Sequence, residues 1–236
     1  SYRQGAEIIQ SLNDETAADT LQEMDEERQT DIVETLDQER AADILEEMDP
    51  DDAADLLADL DEAQAQELLR RMDREDAEDV EELLAYPEDS AGGIMTSDFL
   101  SFPGSLSADQ TIQLIRGLSD APERIDYLYI TETEGAAEDW AQLCQEGGGK
   151  LRGIVSLRDL LLAPGDARLE NLMEREFVWI AADGSTEDAA RLIAEYNLTA
   201  LPVLDEEDRM RGVITVDDAM DVLLPDRGQH LTHAFS

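Results

Sequence analysis

Asn197 to Asp221 reads NLTALPVLDEEDRMRGVITVDDAMD. An apolar run, Ala200–Leu204, is followed by an acidic turn and a second run, Met210–Thr215, that passes straight into a helical pattern. Within the step Gly212-Val213-Ile214-Thr215-Val216-Asp217-Asp218, glycine allows a close backbone approach. Thr215 stands where a helix N-cap is needed, and Asp218 three residues on completes a Thr-x-x-Asp capping box. A helix that starts directly off a strand turns unpaired N–H groups toward a cleft, which suits a phosphate or carboxylate. The same step occurs earlier as Gly153-Ile154-Val155-Ser156-Leu157-Arg158-Asp159.

The two copies resemble the paired signature (glycine, an apolar residue, any residue, Ser or Thr, any two, Asp) of a tandem cystathionine-β-synthase-type (CBS) pair. The surrounding pattern gives each copy a β-α-β-β-α order. The first unit reads as strand Phe99–Phe102, helix Ser107–Leu118, strands Tyr127–Thr131 and Leu151–Ser156, and helix Leu157–Leu162. The second reads as strand Phe177–Ile180, helix Thr186–Tyr196, strands Ala200–Leu204 and Met210–Thr215, and helix Val216–Leu223. Glu132 to Lys150 is long for a hairpin connection, and Gly147-Gly148-Gly149 within it lacks the strand–glycine–helix order of a phosphate loop. Trp140 and Leu143 in this insert are expected to pack back. Asn171-Leu172-Met173 echoes Gly93-Ile94-Met95 at the entrance to each unit.

Upstream, Met24, Leu36, Met48, Leu60, Met72 and Leu84 recur every twelve residues. Leu21, Val33, Leu45, Leu57 and Leu69 stand three positions before them, and Glu81 breaks the last copy. Asp25, Asp37, Asp49, Asp61 and Asp73 follow immediately after, each placed to cap the next helix, most clearly Asp49 ahead of Pro50. Ala41, Leu45 and Met48 share one helical face. Helices this short are marginal alone, since about 12–15 residues are needed in isolation, so neighbours must stack into a superhelix.

The 236 residues carry 17 Lys+Arg against 59 Asp+Glu, a formal net charge of −42. Such a chain is a very poor partner for nucleic acid, which requires basic patches. No apolar run reaches the length of a membrane span and no secretory signal is present. The single cysteine, Cys144, excludes an internal disulfide and fits a reducing compartment. No catalytic constellation is visible: His230 and His233 lie in a tail, without Cys/His spacing suited to zinc. Two readings of the acidity stand side by side, a surface adapted to a salty cytoplasm and carboxylates that serve as cation ligands. Asp217, Asp218 and Asp221, crowded within about one helical turn, favour a hard dication locally.

Tyr86-Pro87-Glu88-Asp89-Ser90-Ala91-Gly92-Gly93-Ile94-Met95-Thr96 ends the repeats, its proline and paired glycines marking a boundary and a hinge. An acidic superhelix, this junction and two CBS units, in that order, resemble the cytosolic part of MgtE-type magnesium channels and transporters over essentially the whole chain. The resemblance implies a multidomain α and α+β protein. Residues 1–90 would form a right-handed superhelix of short helices, 91–163 the first CBS domain, 164–224 the second and 225–236 a tail. It implies Mg2+ held by Asp218 and Asp221 with the backbone carbonyls of Gly93 and Ala194, and by Asp51 and Asp55 of the helical domain facing the CBS pair. The twelve-residue repeat makes the last two ambiguous by whole units. It also implies ATP or another adenine nucleotide in the first cleft, with Asp159 on the ribose, Arg158 on phosphate and Tyr127 along the base.

This sequence departs from the family at Leu198, where the family has an aromatic residue, and at Ser185 and Asn197, where it has acids. Pro225 and Gly228 also interrupt the long exit helix expected after the second unit. The resemblance further implies a homodimer through helices 157–162 and 216–224, a transmembrane channel domain as partner and a place at the cytosolic face of the cell membrane. Three functions follow from these readings: a Mg2+-sensing regulatory region that closes its helical domain onto the CBS pair, a free-standing CBS adenylate-binding regulator, and a salt-adapted interaction module.

Overall fold

The computed structural model describes residues 2–87, 89–118, 122, 124–132 and 149–223. Trp140, Leu143, Cys144, Gly147, Gly148 and the tail with His230 and His233 lie outside those residues. The chain divides into two compact units, Ser1–Pro87 and Glu88–Ser236.

The first unit is built from α1 (Tyr2–Ile9), α2 (Asp14–Gln22), α3 (Glu26–Val33), α4 (Gln38–Glu46), α5 (Pro50–Asp59), α6 (Glu62–Leu69) and α7 (Arg74–Leu84). Each helix packs on the one two places further along: α1 on α3, α2 on α4, α3 on α5, α4 on α6 and α5 on α7. That alternation is how helices of eight to eleven residues gain the tertiary contacts they need. The buried phase is sharper one position ahead of that read from the sequence. Ile32, Ile44, Leu56, Leu68 and Val80 are all buried, whereas Leu69 is only half-buried and Leu84 exposed. The Ala41-Ala42 and Ala53-Ala54 pairs are buried too, their small side chains allowing helices to approach closely.

The five aspartates occupy the N-cap positions, but only Asp37 and Asp61 bond their own helix with the side chain, Asp37 accepting from Glu39 N–H and Asp61 from Ala63 and Gln64 N–H. Asp49 departs from expectation. Pro50 does open α5, yet the Asp49 carboxylate accepts from Gln22 Nε2 at 3.0 Å, alongside Asp52 at 2.7 Å.

The second unit opens with a 3-10 turn, Ala91–Gly93. There follow β1 (Ser101–Pro103), α8 (Ala108–Gly117), β2 (Tyr127–Glu132), β3 (Lys150–Ser156), α9 (Leu157–Leu162), α10 (Leu169–Leu172), β4 (Ile180–Ala181), α11 (Thr186–Tyr196), β5 (Ala200–Leu204), β6 (Met210–Thr215) and α12 (Val216–Leu223). The strands form two sheets of the same design, β1-β2-β3 and β4-β5-β6, each with one parallel and one antiparallel pairing. A register shift falls at Ile130/Thr131 in one sheet and at Val203/Leu204 in the other. Ser107 and Gln110 form a capping box ahead of α8, and α11 ends on Asn197 in the left-handed region at φ 51°. The outer strands differ from the sequence reading. They are shorter and begin later, because Phe99 and Phe177 turn into the core between the sheets instead of extending the ladder. Pro202 is tolerated in a central strand because β4 pairs only with Val203 and Leu204, so no ladder bond is asked of its missing N–H.

Side chains along β2 alternate between two cores. Leu128 and Ile130 join Phe102, Val155, Leu160 and Leu169 beneath the helices. Tyr129 points the other way, against Leu151, Leu204, Met210 and Val213, with Phe99 edge-on at 5.7 Å. Burial of Tyr129 pushes its hydroxyl well above the usual tyrosine range.

The entry segments are exchanged between the halves. Ala91 and Gly92 donate to the carbonyls of Gly184 and Ala182, and Thr96 exchanges both backbone bonds with Val213. Leu169 and Glu170 donate to Leu106 and Gly104, and Glu174 exchanges both bonds with Ile154. The segment that precedes the first CBS repeat thus completes the second, and the connector between the repeats completes the first. This corrects one expectation: Gly92-Gly93, read as a hinge, is a bonded turn with Gly92 buried.

The exchange also explains the signature glycine. A Cβ on Gly153 would lie 2.7 Å from Glu174 O and 2.8 Å from Met173 Sδ, and one on Gly212 2.6 Å from Thr96 O and 2.8 Å from Met95 Sδ. The close approach anticipated at these glycines is made by the chain itself.

Candidate functional site

The register of the two sheets pairs their residues one for one: Tyr127 with Ala200, Ser156 with Thr215, Arg158 with Asp217 and Asp159 with Asp218. Leu157 N–H donates to Asp126 O at 3.0 Å and Val216 N–H to Thr199 O at 3.1 Å, so Asp126 and Thr199 also correspond.

One cleft of about 740 Å³ lies at the start of α9, lined by Tyr127, Ser156, Arg158, Leu161, Leu162 and Thr199 together with Ile125, Asp126 and Leu157. Tyr127 and Arg158 therefore come together as expected. Asp159 does not line the cleft. Its N–H donates to Ser156 Oγ at 3.0 Å, its Oδ2 accepts from that hydroxyl at 2.7 Å, and its other oxygen stands 3.5 Å from Arg158 Nη1. The helix start is thus capped by a hydroxyl bonded to the acid, a variant of the expected box. Thr215 and Asp218 repeat the hydroxyl-to-carboxylate bond at α12. The sequence reading did not include Ile125, Asp126, Leu161, Leu162 or Thr199 in this cleft. The last comes from the other half and was reachable only through knowledge of how the halves meet.

The acids expected to hold a metal are distributed as follows. Asp51 and Asp55 sit one turn apart on α5 of the helical unit, half-buried and exposed respectively. Gly93 closes the 3-10 turn, its N–H donating to Ser90 O at 3.0 Å and Ser90 Oγ at 3.2 Å. Ala194 is exposed on α11, which packs along α12, the carrier of Asp218 and Asp221. The Asp221 side chain lies outside the description. Asp217 is engaged elsewhere, accepting from Arg124 Nη1 at 3.1 Å. Arg124 also stands 3.9 Å from Asp126.

Among the described residues, one other group of acids converges. An oxygen from each of Glu46, Asp73 and Asp76 lies within 4.8 Å of the others. Burial raises the Glu46 pKa; the Asp73 N–H, donating at 2.6 Å, lowers it, and the charges of Asp73, Asp43 and Glu47 add to the rise. No residue pattern separates these three from the other repeat acids, so the sequence reading missed them. A further open cleft of about 570 Å³ lies at the β5–β6 turn, lined by Asp205, Glu206, Glu207, Arg209 and Arg211.

Comparison with known proteins follows the same division. The MgtE intracellular N domain matches residues 1–89, and the CBS domain matches residues 169–225. A solved structure described as the cytosolic domain of the Mg2+ channel MgtE in complex with ATP is 32% identical, with a TM-score of 0.83 over 94% of this chain and 85% of that one. The chain belongs to the MgtE family. A second solved structure, described as the soluble part of a magnesium transporter, is 28% identical with a TM-score of 0.84, covering 96% of this chain and 84% of that one. The magnesium transporter MgtE of Thermus thermophilus is 35% identical over 145 residues, 61% of this chain and 29% of the relative. The chain thus spans under a third of the length of the curated MgtE relatives it matches. Among the described residues, no helix is long and apolar enough to cross a membrane.

Proposed function

We propose that this MgtE-family chain is the cytosolic Mg2+-sensing region of a magnesium channel or transporter, acting on a transmembrane domain of the parent protein from the inner face of the cell membrane. The observation that carries the reading is α12. It places Asp217, Asp218 and Asp221 on one short helix packed against α11, in a chain whose solved relative is described as the cytosolic domain of a Mg2+ channel. Neighbouring carboxylates repel, by roughly 4 kcal/mol at 4 Å and an effective dielectric of 20, and a hard dication bound through oxygens and retained waters removes that repulsion. In this reading Asp218 and Asp221 hold Mg2+ with the carbonyls of Gly93 and Ala194. Asp51 and Asp55 provide the acids of the helical unit, and Mg2+ draws that unit toward the CBS pair. The Arg124–Asp217 pair engages the third acid of α12. The protein works as a regulator and not as an enzyme.

Assembly as a homodimer belongs to the same proposal. Leu161, Leu162 and Met220, on the two equivalent helices α9 and α12, are 58%, 69% and 52% exposed, apolar surface of the kind partner subunits cover.

Isothermal titration with MgCl2 at fixed ionic strength tests the metal reading. Saturable heat is expected from the parent and a weakened response from Asp218→Ala with Asp221→Ala. Equal heats from both proteins would remove α12 from the site.

The cleft supports a second ligand. Tyr127 offers a ring, Arg158 is the cation of its lining, and Leu157, Leu161 and Leu162 supply apolar wall. We assign it to an adenine nucleotide such as ATP, with Tyr127 along the base and Arg158 on phosphate; the ribose contact expected of Asp159 would require its carboxylate to leave Ser156 and Arg158. A roughly tenfold weaker ATP affinity in Arg158→Ala, measured by calorimetry, is the expected result.

A further inference from the structure

Asp217 is the acid of α12 that stands where Arg158 stands on α9, and a cation meets it there. Arg124, in the segment that leads into β2, reaches across to the second CBS half and donates from Nη1 to Asp217 Oδ1 at 3.1 Å. Its Nη2 lies 3.9 Å from Asp126 Oδ2 in its own half. In the first cleft Thr199 of one half and Arg158 of the other share a lining. At the equivalent place two carboxylates, Asp126 and Asp217, share one guanidinium. Each helix start therefore has an arginine beside it, one belonging to the helix and one brought from the other half.

The side chains of Arg124, Asp126 and Asp217 are 51%, 44% and 62% exposed. A pair this open to solvent holds little of the fold together and exchanges readily. What it does alter is local charge. Asp217 adjoins Asp218 and lies one turn before Asp221 on α12. A positive charge held at Asp217 offsets part of the negative potential that a cation at Asp218 and Asp221 would meet, and it repels that cation directly.

We propose that Arg124 is a built-in counter-cation that weakens divalent-cation binding at α12 by occupying Asp217, and so raises the concentration at which that helix responds. The inference rests on the metal reading above. It makes Arg124 a tuning residue and not a ligand: in the metal-free protein the guanidinium relieves the crowding of the acids, and a dication must overcome it.

Arg124→Gln removes the charge, Arg124→Lys keeps it, and Arg168→Gln removes one from an exposed arginine of the connector. Asp217→Asn, alone and combined with Arg124→Gln, removes the carboxylate through which the effect runs. Calorimetry with MgCl2 at fixed ionic strength would follow the component of the heat that Asp218→Ala with Asp221→Ala abolishes, with the metal-free thermal midpoint of each protein recorded. The expected result is about fivefold tighter Mg2+ binding in Arg124→Gln, the scale of one unit charge acting on a dication near the surface. Arg124→Lys and Arg168→Gln stay near the parent, the midpoints do not fall, and in the Asp217→Asn background Arg124→Gln adds little. Parent-like or weaker binding in Arg124→Gln overturns the proposal and leaves the metal reading standing. So does an equal gain in Arg168→Gln, which would make the effect one of net charge alone, or a full gain in the Asp217→Asn background, which would detach it from α12. A midpoint lowered by several degrees in Arg124→Gln would make the pair a structural clasp and overturn the proposal too. A parent whose Mg2+ heat survives Asp218→Ala with Asp221→Ala overturns the metal reading itself, and this inference with it.

Discussion

The two CBS halves share a strand order, a register shift and a glycine closed over by an exchanged segment, yet they present opposite chemistry at the same position. Where the first turn of α9 carries Arg158-Asp159, that of α12 carries Asp217-Asp218. Tyr127, a ring at the edge of the first cleft, corresponds to Ala200, which offers none. One fold duplicated within a chain thus carries an arginine–aspartate pair at one helix start and two aspartates at the other.

The sharpest way to break the symmetry is through its glycines. Gly153→Ala and Gly212→Ala each force a methyl against a backbone carbonyl and a methionine of the exchanged segment, and each should destabilise the CBS unit by about 1–3 kcal/mol. Chemical denaturation of the two variants should give similar losses. A harmless alanine at either position would show that the exchange is loose in that half.

A smaller effect separates the hairpin turns. Asp205 and Glu132 correspond, but Asp205 accepts from Glu207 N–H at 2.8 Å, Arg209 N–H at 2.9 Å and Arg211 Nε at 3.2 Å, whereas Glu132 pairs with Arg152 at the surface. Burial alone would raise the Asp205 pKa. The Arg209 and Glu207 N–H groups and the Arg211 guanidinium outweigh it and hold the carboxyl below its ordinary value of 3.8. The sign follows from linkage. A depressed folded pKa gives stability that is present above 3.8 and is lost as pH falls through the folded value. Asp205→Asn should cost about 1 kcal/mol at neutral pH and flatten the acid limb of a stability-versus-pH curve, and Glu132→Gln, which breaks one surface pair, should cost less at neutral pH. An unchanged acid limb in Asp205→Asn would contradict the assignment.

Smaller again in stability, but decisive for chemistry, is the exchange of signs. Arg158→Ala should weaken ATP binding roughly tenfold, about the worth of one charge-assisted contact, with Asp217→Ala leaving it unchanged. If both variants bind ATP equally, the first cleft owes nothing to its arginine and the contrast between the halves fails.

Much of this was legible in the chain. The repeated step from Gly153 and Gly212 located both sheets and both following helices, with α9, α11, β5, β6 and α12 falling at the expected residues, because apolar period and capping residues act locally. What the sequence concealed was non-local. The pattern at Ala91–Thr96 reads as the start of the first CBS unit, and nothing in it announces that its hydrogen bonds go to Gly184, Ala182 and Val213. The place of Thr199 in the cleft beside Tyr127 was hidden for the same reason. The convergence of Glu46, Asp73 and Asp76 was hidden differently. In a segment holding about half of the chain's acids, only the meeting of the end of α4 with the start of α7 singles out three.

The central claim, that the acids respond to Mg2+ as a ligand and not merely to salt, is tested most directly by small-angle scattering in MgCl2 and in KCl at equal ionic strength. Monovalent salt screens the repulsion among carboxylates, whereas a bound ligand at 100 times its Kd adds about 2.7 kcal/mol to the state that binds it. The account predicts a smaller radius of gyration in MgCl2 than in matched KCl, with the difference blunted in Asp218→Ala with Asp221→Ala. Full compaction in KCl alone, with nothing added by Mg2+, would contradict it and leave the carboxylates as a solvated, salt-adapted surface.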